Sequence, residues 1–115
     1  MRAIADMEGF NIRGSVPQRL NNPGDLMFVK QKGAKPVTIT GVDKKQRTYA
    51  QFPTVDAGWA ALAFQLSLYA KRGYTLLQAI RKWAPKEDGN DPNGYASYVA
   101  KLLNVPLNTQ LSRLV

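Results

Sequence analysis

Apolar residues recur along this chain with two periods, and the Gly, Pro and Asn between them mark off the elements. Residues 1–8 place Ile4 and Met7 one turn apart, which predicts a short helix with those two on its inner face. Gly9 follows as its C-terminal cap. From 9 to 36 no helical or strand period survives, and the stretch reads as one long ordered loop. A loop of that length in a compact domain is usually functional. Alternation returns in Val37-Thr38-Ile39-Thr40 and Thr48-Tyr49-Ala50-Gln51-Phe52. These flank Gly41-Val42-Asp43-Lys44-Lys45 and predict a hairpin with a basic tip.

Thr54 opens the main helix, predicted to run to Arg72 and to close at Gly73. Its middle, Trp59 to Tyr69, is apolar on nearly every side. A helix apolar all round must be wrapped by other elements, so this one is predicted to be the hub of the fold. Thr75-Leu76-Leu77-Gln78 has the spacing of a capping box and opens a helix ending at Trp83-Ala84-Pro85. A polar loop, Lys86 to Asn90, leads to Asp91-Pro92, an N-cap with proline at the first helical position. The helix that follows carries Tyr95, Tyr98, Val99 and Leu102 at helical spacing, and a short turn from Thr109 to Leu114 closes the chain. The expected fold is α+β and mainly α: a single domain with a central buried helix, satellite helices and a small β-hairpin.

Composition narrows the chemistry. The 115 residues suit one small domain with one core. Sixteen Lys+Arg against eight Asp+Glu give a net charge of +8 with no histidine. Such a field favours a polyanionic partner or surface: nucleic acid, anionic lipid or the acidic bacterial envelope. Specific nucleic-acid binding is disfavoured, because there is no basic helix and no interleaving of Lys/Arg with aromatics. Lys35, Lys44, Lys45 and Arg47 crowd the hairpin, where a solvated turn is the simplest reading. The absence of cysteine excludes disulfides and thiolate chemistry. Without histidine as well, the usual zinc sites, Ser-His-Asp triads and Cys-His dyads are excluded. An enzyme built from these residues works with carboxylates, hydroxyls, amides, Lys or Arg, and neither metal nor cofactor is expected. No signal peptide is visible at the N-terminus, and the longest uncharged stretch, Ala57 to Ala70, is too short to span a bilayer.

The chain has two glutamates, and one, Glu8, sits at a predicted helix end between Met7 and Gly9-Phe10. The negative pole of the helix and the apolar neighbours both disfavour ionisation there and push its pKa upward. A carboxylic acid that keeps its proton near neutral pH is what glycosidic cleavage needs as general acid. A surface glutamate at a frayed helix end is the plainer alternative.

Three segments carry a resemblance: Met7-Glu8-Gly9-Phe10, then Gln18 to Leu26 with Arg19 and Asn21-Asn22-Pro23-Gly24-Asp25, then Phe52-Pro53-Thr54 with Asp56 to Leu62. Together they resemble a family of small phage and prophage proteins described as phage structural protein or lytic transglycosylase, with a lysozyme-like fold. Trp83-Ala84-Pro85, Asp88-Gly89-Asn90 and Tyr95 to Ala100 are similar to that family's closing motifs, so the resemblance covers nearly the whole chain. The chain departs at Leu20, where the family typically has a third asparagine. The resemblance implies bacterial peptidoglycan as substrate, Glu8 as catalytic acid, and a monomer that is virion-associated or released at lysis to act on the host wall.

Chemistry supplies the remaining candidates. Asn21 and Asn22 suit a turn, yet amides also pair with the acetamido and hydroxyl groups of amino sugars. Arg19 is suited to a lactyl or peptide carboxylate, or to neutralising Asp25. Tyr49, Tyr95 and Tyr98 are candidates to stack on sugar faces, with core packing the better reading for Tyr98 than for Tyr95; Phe52 joins them as a candidate contact. Trp59 and Trp83 are assigned to the core. A hydrolase of the common kind needs two carboxylates. After Glu8 the next acid is Asp25, so a single glutamate fits a lytic transglycosylase better. In such an enzyme the substrate's N-acetyl group stabilises the oxocarbenium-like centre. Hydrolysis with Asp25 positioning water remains the alternative, as does a non-catalytic virion protein on the same scaffold. Glu8 is expected at the end of helix one, facing a groove lined by residues 18–25 and the hairpin.

Overall fold

The computed structural model describes residues 1–84 and 91–114 and is α+β, mainly helical. The chain divides into two compact units, Met1–Leu62 and Ala63–Val115. The first holds α1 (Arg2–Met7), α2 (Val16–Arg19), the hairpin strands β1 (Lys35–Thr40) and β2 (Gln46–Gln51), and the start of α3 (Val55–Lys71). The second holds the rest of α3, α4 (Leu76–Trp83), α5 (Pro92–Leu103) and a 3-10 turn, Leu111–Arg113. Among the described residues, no helix is long and apolar enough to cross a membrane.

One device ends α1, α3 and α5. After α1, Gly9 has φ 82° and donates to Asp6 O at 3.1 Å, while Phe10 donates to Ala5 O at 3.0 Å. After α3, Gly73 (φ 75°) bonds Ala70 O at 3.0 Å and Tyr74 bonds Tyr69 O at 3.3 Å. After α5, Asn104 (φ 55°) and Val105 do the same to Lys101 O and Ala100 O. A left-handed residue there satisfies carbonyls the helix leaves orphaned, and glycine takes that conformation without a Cβ penalty. Starts follow the caps read from sequence. Thr54 Oγ1 accepts from Ala57 N at 3.1 Å, Asp91 accepts from Gly94 N at 3.1 Å, and Thr75 and Gln78 complete the capping box.

The hairpin pairs Lys35 with Gln51 through to Thr40 with Gln46. Its turn is closed by Gly41 N to Lys45 O at 2.9 Å, with Lys44 at φ 64°. Arg47 grips Asp43 with two bonds, 2.8 and 3.2 Å long. That hydrogen bond, followed by one from the Lys45 backbone, holds the Asp43 carboxyl down to about 2. The other edge of β2 meets a fragment of the preceding loop. Ala50 N donates to Leu26 O at 3.0 Å, Phe28 N donates to Thr48 O at 2.9 Å, and Met27 bridges Tyr49.

Several expectations are corrected. The loop over 9–36 contains α2, which Ser15 caps by accepting from Gln18 N at 3.3 Å; a Ser followed by Pro17 in the first turn is the signal that the apolar period missed. On α1, Ile4 is buried but Met7 is exposed, because the inner face is Ala3-Ile4-Ala5. Helix α3 is not wrapped on all sides. It buries Gly58, Leu62 and Leu66, a single i, i+4 stripe, and leaves Phe64 65% exposed. On α5 the buried face is Tyr95, Ala96, Val99 and Ala100, while Tyr98 and Leu102 lie outside it, reversing the expected roles of the two tyrosines. The polar loop from Lys86 to Asn90, with Pro85 and the Asp88-Gly89-Asn90 motif, lies outside the described residues.

In the second unit α4 packs on α5. The Thr109–Leu111 segment pairs with the start of α4: Leu76 N donates to Thr109 O at 2.8 Å and Leu111 N to Tyr74 O at 2.9 Å. Tyr69 sits 5.6 Å from Tyr74 and 6.3 Å, edge-on, from the half-buried Trp83. In the first unit Phe10 meets the half-buried Trp59 edge-on at 5.6 Å, which fixes the chain just after Glu8 against the first turns of α3.

Those first turns also receive the 21–23 backbone, and Gly58 is what allows it. A Cβ at position 58 would stand 1.9 Å from Asn21 O and 2.8 Å from Pro23 Cδ. Backbone cannot yield as a side-chain tip can, so Gly58→Ala should cost about 3 kcal/mol despite alanine's better helix propensity. Urea denaturation of the two proteins checks this, and equal midpoints would show that the loop does not depend on close approach.

Candidate active site

Asn22 organises the site from inside. Its side chain is fully buried. Nδ2 donates to Ala50 O at 2.8 Å and to Leu26 O at 3.0 Å, while Oδ1 accepts from Leu26 N at 2.9 Å. The residue therefore staples the 22–26 turn to β2. With its donors committed and no exposed surface, Asn22 is a structural residue rather than a substrate contact. Asn21 takes a left-handed φ of 53°, and its amide donates to Phe52 O at 3.1 Å. Phe52 (2% exposed) and Leu20 (5%) belong to the core, so the expected substrate contact at Phe52 is corrected as well.

The staple presents Asp25. Its backbone is left-handed at φ 50°, closing the turn through Asp25 N to Asn22 O at 3.0 Å. The carboxyl is half-buried, and Oδ1 is wholly buried with no hydrogen-bond partner among the described residues. Burial pushes its pKa up to about 6. Arg19 does not relieve it. That side chain is exposed, and its Nε donates instead to Gly14 O at 3.1 Å.

Tyr49 lies on β2 beside this turn, through its bridge to Met27. Burial raises its phenol pKa first, the Asp25 and Glu8 carboxylates add to the rise, and Arg47 opposes it. Both carboxylates thus lie within electrostatic reach of one phenol. Glu8 itself is the half-buried residue that closes α1, at φ −81° and ψ −4°, with its N–H on Ile4 O at 2.9 Å. Ser15 anchors the chain after it: its Oγ donates to Gly9 O at 2.6 Å while capping α2. Sequence reading passed over Ser15 because a lone serine in a Gly-rich loop carries no period.

Glu8, Arg19, Asn21, Asp25 and Tyr49 therefore all belong to the first unit, where the Tyr49 phenol feels the charges of Asp25, Arg47, Glu8 and Asp43. Tyr95 and Tyr98 belong to the second. Tyr95 is 6% exposed, which corrects its reading as a substrate platform, and Tyr98 is 43% exposed on the outer side of α5. Chemically, the first unit offers two half-buried carboxyls, Glu8 and Asp25, and the Tyr49 phenol.

The orphaned oxygen has a measurable cost. A folded chain that keeps the Asp25 proton up to about pH 6, against 3.8 when unperturbed, binds more protons than the unfolded chain between those values. Stability must then fall as pH rises through that window. About two pKa units at 1.36 kcal/mol each amount to roughly 3 kcal/mol. Asp25→Asn keeps the left-handed turn and removes the charge, so it should stabilise the protein by that order at about pH 7.5 and by little at about pH 3.5. Thermal or urea melts at the two pH values test this, and a gain independent of pH would rule out the buried charge as its cause. No family model matches the sequence, and no curated protein matches it significantly.

Proposed function

We propose that this protein is a peptidoglycan-cleaving glycosidase, a lytic transglycosylase that cuts between N-acetylmuramic acid and N-acetylglucosamine with Glu8 as its general acid and base. The observation that carries the reading is the position of Glu8 at the closed end of α1, in the same compact unit as Asp25 and Tyr49. The resemblance of Met7-Glu8-Gly9-Phe10 and Arg19 to Asp25 to the phage lytic transglycosylase family supports it. So does the composition, which has no histidine or cysteine and so leaves carboxylates among the few available acid–base groups.

In this mechanism Glu8 protonates the glycosidic oxygen as the bond to C1 breaks. The substrate's acetamido oxygen shields the positive charge at C1. Glu8, now a carboxylate, takes the proton of the 6-hydroxyl as that oxygen closes on C1, giving an anhydro sugar. Arg19 is exposed with its terminal nitrogens directed to no described carboxylate, and it suits the lactyl or peptide carboxylate of the strand. Hydrolysis is the second reading, favoured by the unpartnered Oδ1 of Asp25.

Glu8→Gln should lower turnover by about 10²–10⁴-fold while the melting temperature stays close to that of the parent, because the amide keeps the shape without a transferable proton. Digestion of purified peptidoglycan, with fragments resolved by mass, measures this. Full activity in the variant would exclude Glu8 as the acid, and no cleavage by the parent protein would favour a non-catalytic virion role.

Charge predicts a second behaviour. The net +8 draws the protein to the anionic wall through exposed cations such as Lys35, Lys44 and Lys45. At about 0.1 M salt the screening length is ~10 Å, so distant charges lose their pull. Lysis of whole walls should therefore fall steeply with salt, while cleavage of a short soluble muropeptide oligomer changes far less. Equal salt sensitivity on both substrates would place the relevant charge in the site, with Arg19 the first suspect.

A further inference from the structure

Positive charge is concentrated in one part of the chain. Residues 26–51, the hairpin and the loop that leads into it, hold six Lys and Arg against one acid, Asp43. Five of the eight net charges therefore fall on less than a quarter of the sequence. Arg47 binds Asp43 through two nitrogens, so that pair cancels and Lys44 and Lys45 keep the turn positive. Lys30, Lys32, Lys35, Lys44 and Lys45 are all exposed.

The end of the hairpin that carries the turn is also apolar. Val42, at the tip, is fully exposed, and Val29 is 70% exposed. The segment 26–28 runs antiparallel to β2, with Leu26 bonded to Ala50 and Phe28 to Thr48. It therefore heads toward the turn and carries Val29 to that end. Lys30 and Lys44 have left-handed backbones, φ 61° and 64°, where glycine or asparagine would be less strained. Two exposed valines and two strained lysines are thus residues that local folding does not ask for. The turn that presents them is firmly closed. Gly41 N donates to Lys45 O and Lys44 N to Gly41 O, each at 2.9 Å, and Asp43 Oδ1 accepts from Lys45 N at 3.1 Å.

We propose that this end of the hairpin docks on an anionic phospholipid bilayer, with Val42 and Val29 entering the headgroup layer while Lys30, Lys44 and Lys45 meet lipid phosphates. Charge alone complements any polyanion, including a hydrated wall polymer or a nucleic acid. The valines choose the bilayer. Exposed methyl groups gain little from a hydrated polymer, whereas the boundary between headgroups and acyl chains takes up apolar side chains flanked by basic ones. Two valines bury far less apolar surface than a spanning helix, so the attachment is peripheral and reversible. The inference is independent of the glycosidase reading, and its test involves no cleavage.

Co-sedimentation with vesicles tests it. At about 0.1 M salt the protein should pellet with vesicles of mixed phosphatidylglycerol and phosphatidylcholine, and stay in solution with phosphatidylcholine alone. Val42→Ser should weaken binding about fivefold, and Lys44→Gln combined with Lys45→Gln about twentyfold. Melting temperatures should not change, because all three side chains are exposed. The chain has no cysteine, so Val42→Cys can carry a single environment-sensitive dye. Its emission should shift to the blue on anionic vesicles and stay unchanged with soluble polyphosphate. The same dye on Ser97→Cys, exposed on α5, should not shift with either. Failure of the parent to pellet with anionic vesicles overturns the proposal. So does undiminished binding by Val42→Ser, which would make the hairpin a general polyanion site. A blue shift at position 97 and none at position 42 also overturns it, by moving the contact to the second unit.

Discussion

The first unit depends on the buried amide of Asn22. A polar group with no solvent exposure destabilises a fold unless its hydrogen bonds are satisfied. Here three bonds, to Ala50 O, Leu26 O and Leu26 N, satisfy it while tying a turn to a strand. The residues around Asp25 inherit their positions from that tie. Leu26 is held beside Ala50, Met27 is brought against Tyr49, and Asp25 is left at the bend with its side chain turned inward. The same turn is pressed onto α3 where Gly58 removes the obstacle a side chain would present.

A second constraint holds Glu8. Helix α1 has only six residues, too few for its own backbone bonds to sustain it. Its end is defined instead by the left-handed Gly9, by the Phe10 ring against Trp59, and by the Ser15 hydroxyl on Gly9 O. Those three contacts fix the backbone immediately after Glu8.

Asp43 and Asp25 are treated differently by their surroundings. Asp43, on the exposed hairpin turn, is bonded by Arg47 and held down to about 2, a simple structural ion pair. Among the described residues no cation bonds Asp25, and burial pushes it the other way. Stability alone would not select that arrangement, because an amide fits the turn without a charge to bury. Strain retained against stability is a recurrent mark of functional positions.

Local chemistry was legible in the amino-acid sequence wherever a short-range rule acts. The glycine caps at Gly9 and Gly73, the capping box at Thr75, the Asp91-Pro92 start and the hairpin around Gly41 to Lys45 all depend on neighbours within five residues, and each stands where its residues predict. The site was legible in part: Glu8 closes its helix and Asp25 sits in its turn, as their flanking residues indicate. What the sequence left open was burial. Phe64 and Tyr98 are as apolar as Leu62 and Tyr95, yet the first pair is exposed and the second buried, because helical spacing says which residues share a face but not which face meets a partner. The fate of Asn22 and Asp25 was undecided for the same reason. Both are turn residues by type, and only the approach of β2, 28 residues away at Ala50, committed one amide to the backbone and left one carboxylate oxygen without a donor among the described residues.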